Sequence, residues 1–140
     1  MKPVNFDFSR PESIANANES LSTQAVETKL LAGGQTLGPM LNLRLARPGH
    51  LLDISRIDEL RQSSESSDFV RFGAAITHSE IEDGLHPDPL AGHMRNVAGK
   101  IAYRVVRNRG TIGGSIAHAD PAADWVNFLT ACDATVLMRN

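Results

Sequence analysis

Asn108-Arg109-Gly110-Thr111-Ile112-Gly113-Gly114-Ser115-Ile116-Ala117-His118-Ala119-Asp120-Pro121-Ala122-Ala123-Asp124 is the stretch on which the reading of this chain turns. It combines a glycine-rich turn, small residues that let a ligand reach the backbone, and a helix start. Asp120 suits an N-cap and Pro121 the first helical position, so a helix is expected from Pro121 to about Cys132, burying Val126, Phe128 and Leu129. Backbone N–H groups in such a loop can converge on an anion, helped by a helix N-terminus. A second glycine loop, Ala32-Gly33-Gly34-Gln35-Thr36, lies upstream, after the apolar pair Leu30-Leu31. The two loops read as closing on one pyrophosphate.

Outward from these loops the chain alternates strand and helix signals. Phe6 and Phe8 alternate with polar neighbours, as on a short strand. Ser13 is placed to cap a helix reaching about Leu21, with Ile14, Ala17 and Leu21 on one stripe. Lys29 to Ala32 reads as a buried strand that Gly33-Gly34 ends. Thr36 is the expected cap of a short helix carrying Leu37, Met40, Leu41 and Leu43, with Pro39 tolerable only in its first turn. His50 to Ile54 reads as a strand and Ser55 to Leu60 as a connection. The serine-rich run from Gln62 to Asp68 reads as a polar surface loop and a lobe boundary, dividing the chain into 1–61 and 62–140. Phe69 to Ala74 is the next strand. Thr77-His78-Ser79-Glu80 has capping-box spacing and opens a helix that Gly84 stops. Leu90 to about Ala102 reads as a helix, and Ala134 to Met138 as the start of a strand. An apolar strand there, with little after it, would be a sheet edge or lack its continuation.

The totals narrow the function. The chain has 140 residues, 41% hydrophobic and 21% charged, which suits a globular domain. Its net charge of −2 argues against nucleic acid as the main partner, since phosphate backbones want a basic face. With 5% aromatic residues there is also little to stack on bases. Cys132 is the single cysteine, so neither an intrachain disulfide nor a multi-cysteine metal site is expected. No apolar run is long enough to span a membrane, and Met1 to Asp7 has no signal-peptide core, which makes the cytoplasm the expected compartment.

In order, Leu31-Ala32-Gly33-Gly34-Gln35-Thr36-Leu37, Leu43-Arg44-Leu45-Ala46-Arg47-Pro48, Gly73-Ala74-Ala75-Ile76-Thr77-His78-Ser79-Glu80-Ile81 and above all Arg107 to Asp124 resemble one family. It is the FAD-binding (medium) subunit of the molybdenum hydroxylases, of the carbon monoxide dehydrogenase and xanthine dehydrogenase type. The resemblance covers nearly the whole chain. It implies an α+β fold with the two-lobed FAD-binding architecture of the vanillyl-alcohol oxidase type, the second lobe incomplete, because family members run to roughly twice this length. It implies that Leu31 to Leu37 lie at the cofactor, with N–H groups of Ala32, Gly33, Gly34, Gln35 and Thr36 on the pyrophosphate. Gly110, Thr111, Gly113, Gly114 and Ser115 would wrap the other side, Ile101 and Ala102 would pack nearby, and Asp124 would accept a hydrogen bond from the cofactor. Bulkier residues at Gly33, Gly34, Gly113 or Gly114 would keep the backbone from the phosphates or forbid positive φ.

The resemblance further implies a division of labour. A molybdenum cofactor subunit oxidises the substrate, a two-iron two-sulfur subunit relays electrons, and FAD passes them to an external acceptor, in a dimer of such heterotrimers. No catalytic general base, nucleophile or metal ligand is therefore expected in this chain. One alternative is a truncated, non-catalytic copy acting as an interaction or assembly protein without flavin. Another is an enolpyruvyl-sugar reductase of the same superfamily, whose substrate lobe has no counterpart here.

Other residues carry milder expectations. Arg104 and Arg107 read as a solvated connection, with Arg109 undecided as pyrophosphate counter-charge. His118 reads as making a structural hydrogen bond, His78 as part of a helix start, and His50, His86 and His93 as surface residues. Cys132 and Trp125 read as core, and Lys100 as surface.

Overall fold

The computed structural model describes residues 2–23 and 27–138, and these form a mixed helix and strand fold. Its first half is a three-stranded parallel sheet of β1 (Asp7–Ser9), β2 (Thr28–Leu31) and β3 (His50–Asp53), in the order β1-β3-β2. The registers Asp7↔His50 and Thr28↔His50 align both outer strands with the start of β3. All four residues of β3 are buried, as a central parallel strand covered on both faces must be. Helix α1 (Ile14–Thr23) makes the crossover from β1 to β2, and Ser13 Oγ accepts the N–H of Asn16 at 3.1 Å, as its capping role requires. Ala17 of α1 packs with Leu52 and Ile57, joined by Ile14, Ile54 and Leu60. The expected buried strand at Lys29–Ala32 is instead an edge strand, with Leu30 47% exposed.

Helix α2 (Leu37–Asn42) follows the first glycine loop, but Thr36 does not cap it through its side chain. Thr36 is already helical, at φ −98° and ψ −49°, and the first turn closes from Gly38 N–H to the Gly34 carbonyl. Pro39 falls in that first turn. Leu41 is buried, but Leu43 lies beyond the helix and is exposed.

Beyond a single 3₁₀ turn, Asp58–Leu60, the expected polar loop at Gln62–Asp68 contains a strand. β4 (Ser63–Glu65) pairs antiparallel with β5 (Val70–Phe72), Ser63 opposite Phe72. Serines are poor strand formers in isolation, but ladder pairing with a neighbour outweighs that preference. Helix α3 (His78–Glu82) starts on the full capping box: Thr77 Oγ1 accepts from Glu80 N–H, and the Glu80 carboxylate accepts from Thr77 N–H. The next helix, α4 (His93–Lys100), is shorter than the Leu90–Ala102 expected, because Ala91 and Gly92 take positive φ ahead of it.

The largest departure lies after α4. Two helices were not expected: α5 (Arg104–Arg107) and α6 (Ile112–His118). The glycine-rich stretch is therefore the start of α6, capped by Thr111, whose hydroxyl accepts from Gly114 N–H at 3.0 Å. The final helix, α7 (Asp124–Ala131), begins three residues later than read. Asp120 instead accepts the Ala122 N–H in an Asx turn, after Ala119 at φ 54° has ended α6. Residues 134–138 are exposed coil, not strand. Ile76, Ile81, Met94, Ala98, Ile112 and Trp125 form the second core cluster.

Candidate functional site

Two backbone segments touch where the sequence put its glycines. A Cβ built on Gly33 would lie 2.0 Å from the Arg109 carbonyl oxygen and 2.8 Å from Gly110 Cα. No side chain fits in that gap, so glycine at 33 is what lets the two loops meet. Gly113 serves a second close approach, since a Cβ there would sit 2.4 Å from Ala74 Cβ. Both glycines thus admit protein backbone. The sequence reading had them admit a ligand.

The contact closes a cleft of ≈ 210 Å³, lined by residues of both segments and by the C-terminal ends of β1 and β3. That edge of a parallel sheet is where such folds leave a ligand crevice. Ala32, Gly33, Thr77 and Thr111 line it, with Arg10, Arg56, Arg61 and Arg109 around them. Arg10 is held by Asp53, its Nη2 2.8 Å from Oδ2. Burial pushes the Asp53 carboxyl up, but hydrogen bonds from Ser55 and Arg10 outweigh it and leave the group below its ordinary value. Arg61 pairs with Glu80. Among the described residues, the guanidiniums of Arg56 and Arg109 make no hydrogen bond or ion pair.

Donors are also available in the backbone. Among the described residues, the N–H groups of Gly33, Gly34, Gln35, Thr36 and Thr111 have no protein acceptor. The start of α6 is different. Ile112 N–H donates to the Ile76 carbonyl, Gly113 N–H to the Ala74 carbonyl, and Gly114 N–H to Thr111 Oγ1. Those three donors are committed within the protein, so this helix start offers an incoming anion little beyond Thr111. Of the amides without a protein acceptor, Gly33 and Thr111 line the crevice with the two unpaired guanidiniums, a donor set suited to a phosphate-bearing group.

The remaining expected site residues lie around this centre. Leu31 ends β2, Gly34 takes φ 70°, Gln35 donates its side-chain amide to the Gly33 carbonyl, and Leu37 opens α2. Ser115 is half-buried within α6, with its N–H on the Thr111 carbonyl. Ile101 and Ala102 form a bend between α4 and α5. Asp124 is exposed at the first position of α7, and its carboxylate makes no hydrogen bond among the described residues.

Beneath the second loop lies a buried pair. His78 N–H donates to the Gly110 carbonyl, and Trp125 Nε1–H donates to His78 Nδ1 at 3.0 Å. Burial and the nearby Arg107 charge push the His78 pKa down to about 4, against an opposing pull from Asp124. The imidazole is therefore neutral, with Nδ1 as its acceptor.

Several milder expectations change. Arg104 is exposed as read, with its side chain 46% exposed, but Arg107 is largely desolvated; both clasp Glu82, and Arg104 also clasps Asp83. His50 is buried, and its Nε2 lies 2.8 Å from Ser9 Oγ, while His86 is half-buried against Ser63. His118 is exposed and makes no side-chain hydrogen bond among the described residues. Cys132 is exposed because α7 ends before it. Arg10, Asp53 and Arg56 were missed altogether. The signal for them was present: they sit at or just past the C-terminal ends of two parallel strands.

Among the described residues, no helix is long and apolar enough to cross a membrane. Residues 4–140 match the family model for the FAD binding domain in molybdopterin dehydrogenase. The chain is 38% identical, over its whole length, to the 6-hydroxypseudooxynicotine dehydrogenase complex subunit alpha of Paenarthrobacter nicotinovorans, covering 47% of that protein. It is 40% identical over 99% of its length to the carbon monoxide dehydrogenase medium chain of Hydrogenophaga pseudoflava, covering 48% of that chain. Superposed on the carbon monoxide dehydrogenase structure from that organism, it gives a TM-score of 0.80 at 40% identity, covering 89% of this chain and 44% of the other. Quinoline 2-oxidoreductase from Pseudomonas putida 86 gives 0.76 at 35% identity, covering 86% and 42%. The chain spans about half the length of the curated relatives it matches. With the family model matched over nearly every residue, this chain belongs to the FAD-binding domains of the molybdopterin dehydrogenases.

Proposed function

We propose that this chain holds the pyrophosphate of FAD in the cleft between the Ala32–Thr36 loop and Thr111. In this reading residues 1–61 and 62–140 are two lobes of a vanillyl-alcohol oxidase type fold, with the nucleotide between them. The observation that carries it is the contact of Gly33 with Arg109 and Gly110, which brings the unpaired amides of Gly33 and Thr111 and the free guanidiniums of Arg56 and Arg109 onto one crevice. The amides of Gly33 to Thr36 would bind non-bridging phosphate oxygens, and the arginines would supply counter-charge. Gly110, Gly113, Gly114 and Ser115 would shape the opposite wall more than donate to the ligand. Leu31, Leu37, Ile101 and Ala102 would exclude water beside the cofactor, and Asp124 would accept from a cofactor hydroxyl.

In a cytoplasmic complex with a molybdenum subunit and a two-iron two-sulfur subunit, the chain would form the flavin component between iron–sulfur clusters and an external acceptor. FAD would supply the ability to take up and release electrons singly or in pairs. The test is titration of the 140-residue chain with FAD, FMN and riboflavin, followed by flavin fluorescence. Saturable FAD binding, displaced by ADP and absent with riboflavin, is expected. Equal binding of riboflavin, or no binding of FAD, refutes the pyrophosphate site.

A further inference from the structure

Ala102 occupies a backbone conformation that an alanine rarely takes. Its φ is +41°, in the left-handed region, where a Cβ crowds the backbone. Such strain persists only where surrounding structure imposes it, and it is a pointer to function. Here the imposing group is Arg107. Its Nη1 donates to the Ile101 carbonyl at 2.9 Å and to the Ala102 carbonyl at 3.0 Å, pulling both oxygens to one side of the bend. Among the described residues the Ala102 N–H is left without a protein acceptor, and Ala102 is exposed.

The guanidinium is itself locked. Glu82 accepts from Nε at 2.8 Å and from Nη2 at 3.0 Å, a bidentate arrangement that fixes its plane. The Arg107 side chain is 11% exposed, so this is the least solvated ion pair of the group. Arg104 braces the acceptor by donating to Glu82 Oε2 and to the Asp83 carboxylate. The Arg107 hydrogen bond is the leading reason the Glu82 carboxyl lies below its ordinary range. Two residues beyond Arg107 the chain reaches Arg109 and Gly110, which meet Gly33 at the cleft.

We propose that Arg107, fixed by Glu82, is a positioning residue that holds the Ile101–Ala102 bend in its strained form and presents it to the FAD. This rests on the flavin reading above. The ion pair is a shaped support whose product is a backbone conformation.

Rescue separates this from mere attachment of α5 to α3. In the full chain, Arg107→Gln should weaken FAD binding about tenfold, the scale of a single strained residue released. Glycine adopts positive φ without steric cost. Ala102→Gly in the Arg107→Gln background should therefore recover a large part of the FAD affinity. It should do so without restoring the thermal transition, because the Glu82 contact stays lost. Glu82→Gln, which keeps the side-chain shape, should give a smaller loss that Ala102→Gly also recovers, and it guards against misfolding of the arginine variant. The bound flavin's visible circular dichroism should change in Arg107→Gln and return in the double variant. Wild-type FAD binding that persists unchanged in both single variants, or losses that Ala102→Gly does not recover, overturn the positioning role alone. Failure of the wild-type chain to bind FAD overturns the flavin reading, and this role with it.

Discussion

Trp125 donates its indole N–H to Nδ1 of His78 at 3.0 Å, tying the first turn of α7 to the first residue of α3. His78 in turn donates its backbone N–H to Gly110, so the pair forms a strut beneath the second glycine segment. The bond exists only while Nδ1 carries a lone pair. Protonation would set two donors against each other.

Stability should fall as pH drops from 6.5 to about 4, the ordinary and folded values for His78. Across that window the unfolded chain takes up the proton and the folded chain does not, so acid drains stability. The loss for this group totals ~3 kcal/mol and levels off below the folded value. Trp125 is the only tryptophan, so its fluorescence during denaturant unfolding reads the same strut. His78→Gln keeps an acceptor but no titrating proton. Its stability should vary less with pH across the window, and an unchanged pH dependence would sink the assignment.

Arg56 and Arg109 should act through charge. Replacing either with alanine should weaken FAD binding severalfold at low salt and flatten its dependence on ionic strength, because screening has less to remove. Their exposure predicts little change in thermal stability. Titrations at two salt concentrations check this, and parallel salt dependences in wild type and variants would rule out both arginines as counter-charges.

How far the sequence revealed this site follows from the range of its interactions. Both glycine segments were visible as local composition, and the Thr77 capping box as a spacing of three residues. What was hidden depends on partners distant in sequence. Gly33 is glycine because of Arg109, and Gly113 because of Ala74. β4 is a strand only because β5 pairs with it. The clasp of Arg104 and Arg107 was hidden because nothing local shows that Glu82 and Asp83 face them. The start of α7 was misplaced because Asp120 and Pro121 have the chemistry of a helix start, and α6 was not expected because its cap, Thr111, opens a glycine-rich turn.

The capping box at Thr77 supports both the second core and the cleft wall. Thr77→Ala removes the hydroxyl that accepts from Glu80 N–H and donates to Glu80 Oε2 at 2.7 Å. A loss of about 1 kcal/mol is expected, read as a lower midpoint in thermal unfolding. Thr77→Ser keeps the hydroxyl and should recover most of it. If serine is as destabilising as alanine, the cap is not what Thr77 contributes.

Two glycine-to-alanine changes should differ sharply in their effect on stability. At Gly38, in the first turn of α2, an added Cβ meets nothing within 4 Å beyond its chain neighbours. Alanine there restricts the unfolded chain and suits a helix, but Pro39 follows and disfavours helical backbone for a residue that carries a Cβ, so the effects oppose and stability should change by less than about 1 kcal/mol. At Gly33 the same methyl would meet the Arg109 carbonyl, a backbone atom that cannot swing away. The loops must separate, and a loss of about 1–3 kcal/mol is expected. Separation also moves the unpaired amides of Gly33 to Thr36 away from Arg109 and Thr111, so Gly33→Ala should lose FAD affinity while Gly38→Ala keeps it. Denaturant midpoints and FAD titrations of the two variants decide the matter. A Gly33→Ala chain as stable as wild type would mean that the segments do not touch in solution, and the cleft built on that contact would have to be abandoned.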